Sequence, residues 1–109
     1  MVRRLTPLES SFQKKVIDYI TKRGGYKIKI HASSYQTEGE PDIVCCYRGV
    51  FCAFELKQGS KLSDLQIIKL GMIKESGGVA MEVKDLKQIE DVFNRIDIFM
   101  EGIGGHLNL

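Results

Sequence analysis

Tryptophan is absent from this sequence, and proline, histidine and cysteine are scarce: two, two and three in 109 residues. Each shortage excludes something. An odd number of cysteines argues against a disulfide framework and places the chain in a reducing cytoplasm. Cys45, Cys46 and Cys52 contain no CxxC pair and have no fourth ligand, so they are expected to be buried thiols and not a zinc site. His31 is expected to be an ordinary strand-end residue, and His106 lies in a glycine-rich tail without a pattern around it. No apolar run approaches the ~20 residues of a membrane span. The opening MVRRLTPLESS has two arginines but no apolar stretch after them, and is not read as a signal peptide. A large excess of one charge is missing too. Sixteen basic against fourteen acidic residues leave +2, too little to argue for nucleic acid by itself. The apolar share, 43%, is that of a folded protein, and 109 residues form one domain able to bury a core without staples.

What is present is regular punctuation. Thr6-Pro7 opens a helix that runs to about Arg23 and stops at Gly24-Gly25. YKIKIH, residues 26–31, alternates as a half-buried strand. After a polar loop come two strands, about 41–47 and 50–57, joined at Arg48-Gly49. Ser63 caps a second helix over about 64–76, and VAMEV is a fourth strand. Asp85 caps a third helix to about residue 100, whose Leu86, Ile89, Val92, Phe93, Ile96 and Met100 follow the helical period. The order αβββαβα predicts a mixed central sheet flanked by helices.

The central hairpin poses a chemical problem. If Arg48-Gly49 is a two-residue turn, cross-strand partners sum to 97, so Cys45 faces Cys52 and Asp42 faces Glu55. Directly opposed side chains have Cβ atoms about 4.5–5.5 Å apart. Two carboxylates so close repel unless a proton or cation lies between them. Lys57 follows Glu55 on the same strand face. Two carboxylates and an ammonium at one end of a hairpin suit a hard divalent ion held by oxygens. They also suit a solvated ion pair, and the residues alone leave both open.

GEPDIVCCYRGVFCAFELK, residues 39–57, resembles the PD-(D/E)xK nuclease signature: Pro41-Asp42, then Glu55-Leu56-Lys57. With the upstream helix and the downstream SDLQ it resembles the VRR-Nuc group of phage and bacterial nucleases. It is also similar to the archaeal Holliday-junction resolvases, over about residues 8–83. The resemblance implies an α/β, restriction-endonuclease-like αβββαβ core with an added C-terminal helix, about 85–100. It implies an Mg²⁺- or Mn²⁺-dependent deoxyribonuclease acting on branched DNA. By resemblance Asp42, Glu55 and the Leu56 carbonyl bind the metal, and Lys57 serves the attacking water and the phosphate.

Glu9 has two readings. Thr6-Pro7-Leu8-Glu9 is a capping box. Glu9 also lies in line with Phe12, Val16 and Ile20, at one end of the apolar stripe, where the resembled nucleases carry a metal-binding glutamate. Gln66, one turn into the second helix, is the matching glutamine, open to a site role or to simple partial exposure. Lys61, in the loop after Lys57, is the candidate phosphate contact. Lys14, Lys15, Lys22 and Arg23 are expected on the exposed side or end of the first helix. A homodimer is expected by resemblance, with loose support from the apolar third helix and Gly71. The location is cytoplasmic, in a bacterium or in a host if the chain is phage-encoded. The alternatives are a repair-type nickase or exonuclease without junction preference, and a non-catalytic nucleic-acid-binding module.

Overall fold

Each helix opens on a side chain that takes up one of its own orphan amides. The first helix, α1 (Pro7–Lys22), begins with Thr6 Oγ1 accepting from the Glu9 amide at 3.1 Å. The second, α2 (Asp64–Glu75), begins with Ser63 Oγ accepting from Gln66 at 3.2 Å. The third, α3 (Leu86–Gly102), begins with Asp85 Oδ1 accepting from Gln88 at 3.1 Å. In all three the N3 side chain bonds back to the cap amide, a full capping box. The computed structural model describes residues 6–30, 38–57 and 61–104. His31 and His106 lie outside the described residues.

The strands are β1 (Tyr26–Lys29), β2 (Ile43–Tyr47), β3 (Val50–Leu56) and β4 (Val79–Val83). They form one sheet in the order β1-β2-β3-β4. The first three are antiparallel and β4 runs parallel to β3. Arg48 (φ 50°) and Gly49 (φ 84°) make the tight turn, both on the left-handed side as a two-residue hairpin demands. The pairs Ile43–Phe54, Cys45–Cys52 and Tyr47–Val50 all sum to 97, the register the sequence predicts. β2 starts two residues later than expected, because buried Pro41 has no amide hydrogen to give the ladder. β1 stops at Lys29, although the Ile30 amide still donates to the Asp42 carbonyl at 2.9 Å.

The two sheet faces are unequal. On one, α1 and α3 bury Val16, Ile20, Ile43, Phe54, Leu56, Val83, Ile89 and Phe93. On the other, α2 packs through Leu70 onto Ala53 and Ala80, with Leu62 and Ile73 beside them. The small alanines let the helix approach, and that leaves a shallow face. Cys45 and Cys52 are buried opposite each other, and hydrogen bonding between the two thiols together with burial holds the Cys45 thiol well above its usual range. Cys46 is exposed, unlike the buried thiol expected of it, since its side chain leaves the opposite strand face.

One other expectation changes. Arg23 does not join the solvated lysines. Its guanidinium lies over the rings of Tyr19, Tyr47 and Phe93, donates to the Tyr19 hydroxyl, and reaches Asp97 at 2.9 Å. The Tyr47 hydroxyl donates to Asp97 at 2.7 Å and Arg48 adds a contact at 3.3 Å. This cluster ties the end of α1, the hairpin turn and α3 together. The apolar stripe of α3 packs within the chain: Ile89, Phe93, Ile96 and Met100 are buried in the core, while Ile98 and Phe99 of the same helix are exposed. At Gly71 a Cβ would meet nothing within 4 Å.

The Tyr47 hydroxyl, with Arg48 and Arg23, holds the Asp97 carboxyl below its ordinary range. A carboxylate with a lowered folded pKa stabilises above its unfolded value of about 3.9, and that contribution is lost as pH falls through the folded value. Asp97→Asn is therefore expected to cost about 1–2 kcal/mol near neutrality. In thermal melts the gap between wild type and variant closes as the pH is taken below about 4.

Candidate functional site

The site lies on the α2 face, where β2 begins and β3 ends. Strand alternation puts Ala53, Glu55 and Lys57 on one side of β3, and Ala53 fixes that side as the one facing α2. Glu55 is 1% exposed. A carboxylate so deep in a sheet is expensive without hydrogen-bond donors or a cation. One donor comes from α2: Gln66 Nε2 lies 3.2 Å from Glu55 Oε1. The other end of the same amide, Oε1, accepts from the Ser63 amide at 2.8 Å. Gln66 is thus half of a helix cap and half of a carboxylate clamp, and its direction is set by the cap.

Asp42 lies one residue before the first β2–β3 pair, Ile43–Phe54, and strand alternation directs it to the Glu55 side. Its Oδ2 accepts from the Leu56 amide at 2.9 Å. That bond crosses from β2 to β3 where the regular pairing ends, and holds the Asp42 carboxylate beside the Glu55-Leu56 segment. The lysine after it, Lys57, is partly exposed, and its amide is fixed to the Val83 carbonyl of β4 at 3.1 Å. Asp42, Glu55 and Gln66 are therefore brought together, and Lys57 follows on the Glu55 side of the strand by alternation. Lys61 is exposed in the segment leading to α2.

Glu9 acts as a cap: the Thr6 amide donates to its Oε1 at 3.2 Å. The end of α1 meets the hairpin turn, through Arg23 on Tyr47. Its start therefore runs toward the end of the sheet that carries Asp42 and Glu55, on the face opposite α2.

Three further groups were not legible as site neighbours. Glu82 pairs with Glu55 in the parallel register, so it shares the site face; its carboxylate lies 3.4 Å from Lys84 Nζ. Glu40 and Lys69 form an ion pair at 2.6 Å between the segment before Asp42 and α2. The available signal was spacing: Gln66 and Lys69, three apart, share a helix face. Among the described residues no three His, Cys, Asp or Glu side chains form a ready-made metal site. Asp42 and Glu55 supply two carboxylates on one face, and a magnesium-like ion asks for one or two, keeping water elsewhere.

No protein-family model matches the chain, and no curated protein matches it. Solved structures do. A VRR_NUC domain superposes with a TM-score of 0.64 at 24% identity, over 79% of this chain and 94% of that domain. The chain shares the fold of that VRR_NUC domain. The same core is found in Archaeoglobus fulgidus Hjc, a Holliday junction resolvase from an archaeal hyperthermophile. There the TM-score is 0.53 at 20% identity, over 67% of this chain and 64% of Hjc. The VRR-Nuc fold accounts for the element order and the mixed sheet. Among the described residues no helix is long and apolar enough to cross a membrane.

The double use of Gln66 makes a prediction. Ser63→Ala removes only the cap hydroxyl, at about 1 kcal/mol. Gln66→Ala removes the returning cap bond and a donor from a buried carboxylate. It is expected to cost about 1–3 kcal/mol in chemical denaturation, more than Ser63→Ala.

Proposed function

We propose that this chain is a metal-dependent endonuclease that hydrolyses DNA phosphodiester bonds, acting by preference on branched DNA. One observation carries the reading: within the VRR-Nuc fold, Asp42, Glu55 and Lys57 share one face at one end of the sheet. The likeness to a Holliday junction resolvase supports a branched substrate. The rival reading as a non-catalytic binding module leaves the buried Glu55 without a purpose.

Asp42 and Glu55 would hold Mg²⁺ or Mn²⁺, with the Leu56 carbonyl and Glu9 as further oxygens. When bound, such an ion polarises a phosphoryl oxygen and lowers the pKa of water. The protein's own groups do the rest. Lys57 orients the attacking water and offsets negative charge growing on the phosphate. Gln66 keeps the Glu55 carboxylate facing the site. Lys61 contacts backbone phosphate, which gives affinity without sequence preference. A homodimer would place two such sites for paired cuts. The three free thiols suit a cytoplasmic setting, bacterial or that of a phage host.

The test is Mg²⁺- or Mn²⁺-dependent cleavage of four-way junction, flap and linear duplex DNA. Wild type is expected to cut the junction fastest; equal rates on all three would favour the repair-type nickase or exonuclease. Asp42→Asn and Glu55→Gln are expected to abolish cutting while keeping the melting temperature. Lys57→Ala is expected to lose rate but keep Mn²⁺ affinity in calorimetry, because an ammonium cannot coordinate the ion. Full activity in the two carboxylate variants would sink the assignment.

Glu9→Gln separates charge from structure, since glutamine also serves at N3 of a capping box. The cap should survive with an unchanged melt. The rate, or the apparent affinity for Mg²⁺, is expected to fall at least about tenfold, equal to ~1.4 kcal/mol. A superimposable rate curve against Mg²⁺ would confine Glu9 to its helix.

A further inference from the structure

The first half of α2 touches both carboxylate-bearing segments. Gln66 reaches Glu55 directly. Leu65 and Lys69, one turn apart, reach the residues that lead into Asp42. Gly39 has φ +80° and lies so close to Leu65 that an added Cβ would sit 2.5 Å from Leu65 Cγ. Glu40 Oε1 lies 2.6 Å from Lys69 Nζ, both side chains about a third exposed or less. Pro41 is fully buried. The chain therefore enters β2 pressed against α2 by one apolar contact and one ion pair. Asp42 follows immediately, and its carboxylate accepts from the Leu56 amide.

We propose that Lys69 is a positioning residue: through Glu40 it clips the lead-in of β2 to α2 and so sets the Asp42 carboxylate on the Leu56 amide. The role in catalysis rests on the nuclease reading; the clip itself does not. An ion pair this exposed adds little to global stability. Its effect is local because it acts on the residues adjoining Asp42, beyond the last β2–β3 pair, where Asp42 keeps a backbone bond to Ile30 of the neighbouring segment but none of the regular β2–β3 pairs. Gly39 belongs to the same device. Any side chain there would push the segment off Leu65, and the positive φ would add strain.

The Leu56 amide reports the clip without reference to DNA or metal, because its hydrogen bond is to Asp42 Oδ2. Hydrogen exchange in Lys69→Ala is expected to show at least about tenfold lower protection at Leu56, while the Ala53 and Phe54 amides inside the ladder stay as in wild type. Lys69→Arg and the exchanged pair Glu40→Lys with Lys69→Glu are expected to restore it to within about threefold. Under the nuclease reading, Lys69→Ala also lowers kcat about tenfold with KM for DNA unchanged, since Lys69 is not among the phosphate contacts. Unchanged Leu56 protection in Lys69→Ala, or an equal loss at all three amides, overturns the clip. A wild type that cleaves no DNA while Leu56 responds as described overturns the nuclease reading and leaves the clip standing.

Discussion

Glu55 puts a carboxylate on the central parallel–antiparallel junction of the sheet, where it is 1% exposed. Burying a charge there is costly, and the surrounding structure is arranged to compensate. Ala53 and Ala80 keep that face shallow, so α2 can come near enough for Gln66 to donate. The capping box at Ser63 directs the Gln66 amide so that its NH₂ side faces the carboxylate. Without that cap the amide could turn either way. A local helix-start rule and a long-range site contact are met by the two ends of one side-chain amide.

The opposite face works differently. α1 and α3 fill it with large apolar side chains, and the Arg23–Tyr47–Asp97 cluster locks the hairpin turn to both helices. The turn end of β2 and β3 is thereby rigid, and the register it sets is carried along the hairpin to Asp42. The stacked pair of Tyr47 and Phe93, with ring centroids 4.0 Å apart, lies at the anchor. The aromatic and ion-pair anchor lies at the turn end of the hairpin, and Asp42 and Glu55 lie at the other.

Much of this was legible because it is local. Arg48-Gly49 with alternating strands on either side fixes a two-residue turn, and the turn fixes which residues face each other. The caps Thr6, Ser63 and Asp85 are short-range patterns read within four residues. The candidate site residues Asp42, Glu55 and Lys57 were picked out by the hairpin register and by a resemblance whose motif spans that same hairpin. What was not legible depends on contacts between distant segments. The nearness of Glu82 to Glu55 requires the parallel register of β4, which no turn specifies. Arg23 reads as one more helix-end cation until α3 supplies Asp97. Glu40 and Lys69, 29 apart in sequence, meet only because Gly39 lets the chain lie on Leu65.

The central claim is that the sheet end carrying Asp42 and Glu55 is a divalent-metal site. Paramagnetic broadening by substoichiometric Mn²⁺ in amide-resolved NMR spectra tests it most directly, with no substrate needed. The Asp42, Leu56, Lys57 and Gln66 amide signals are expected to be lost first, with Tyr47, Arg48 and Gly49 at the far end of the hairpin untouched. Broadening centred on other acidic residues, such as Asp97 or Glu101, or no selective broadening, would contradict it.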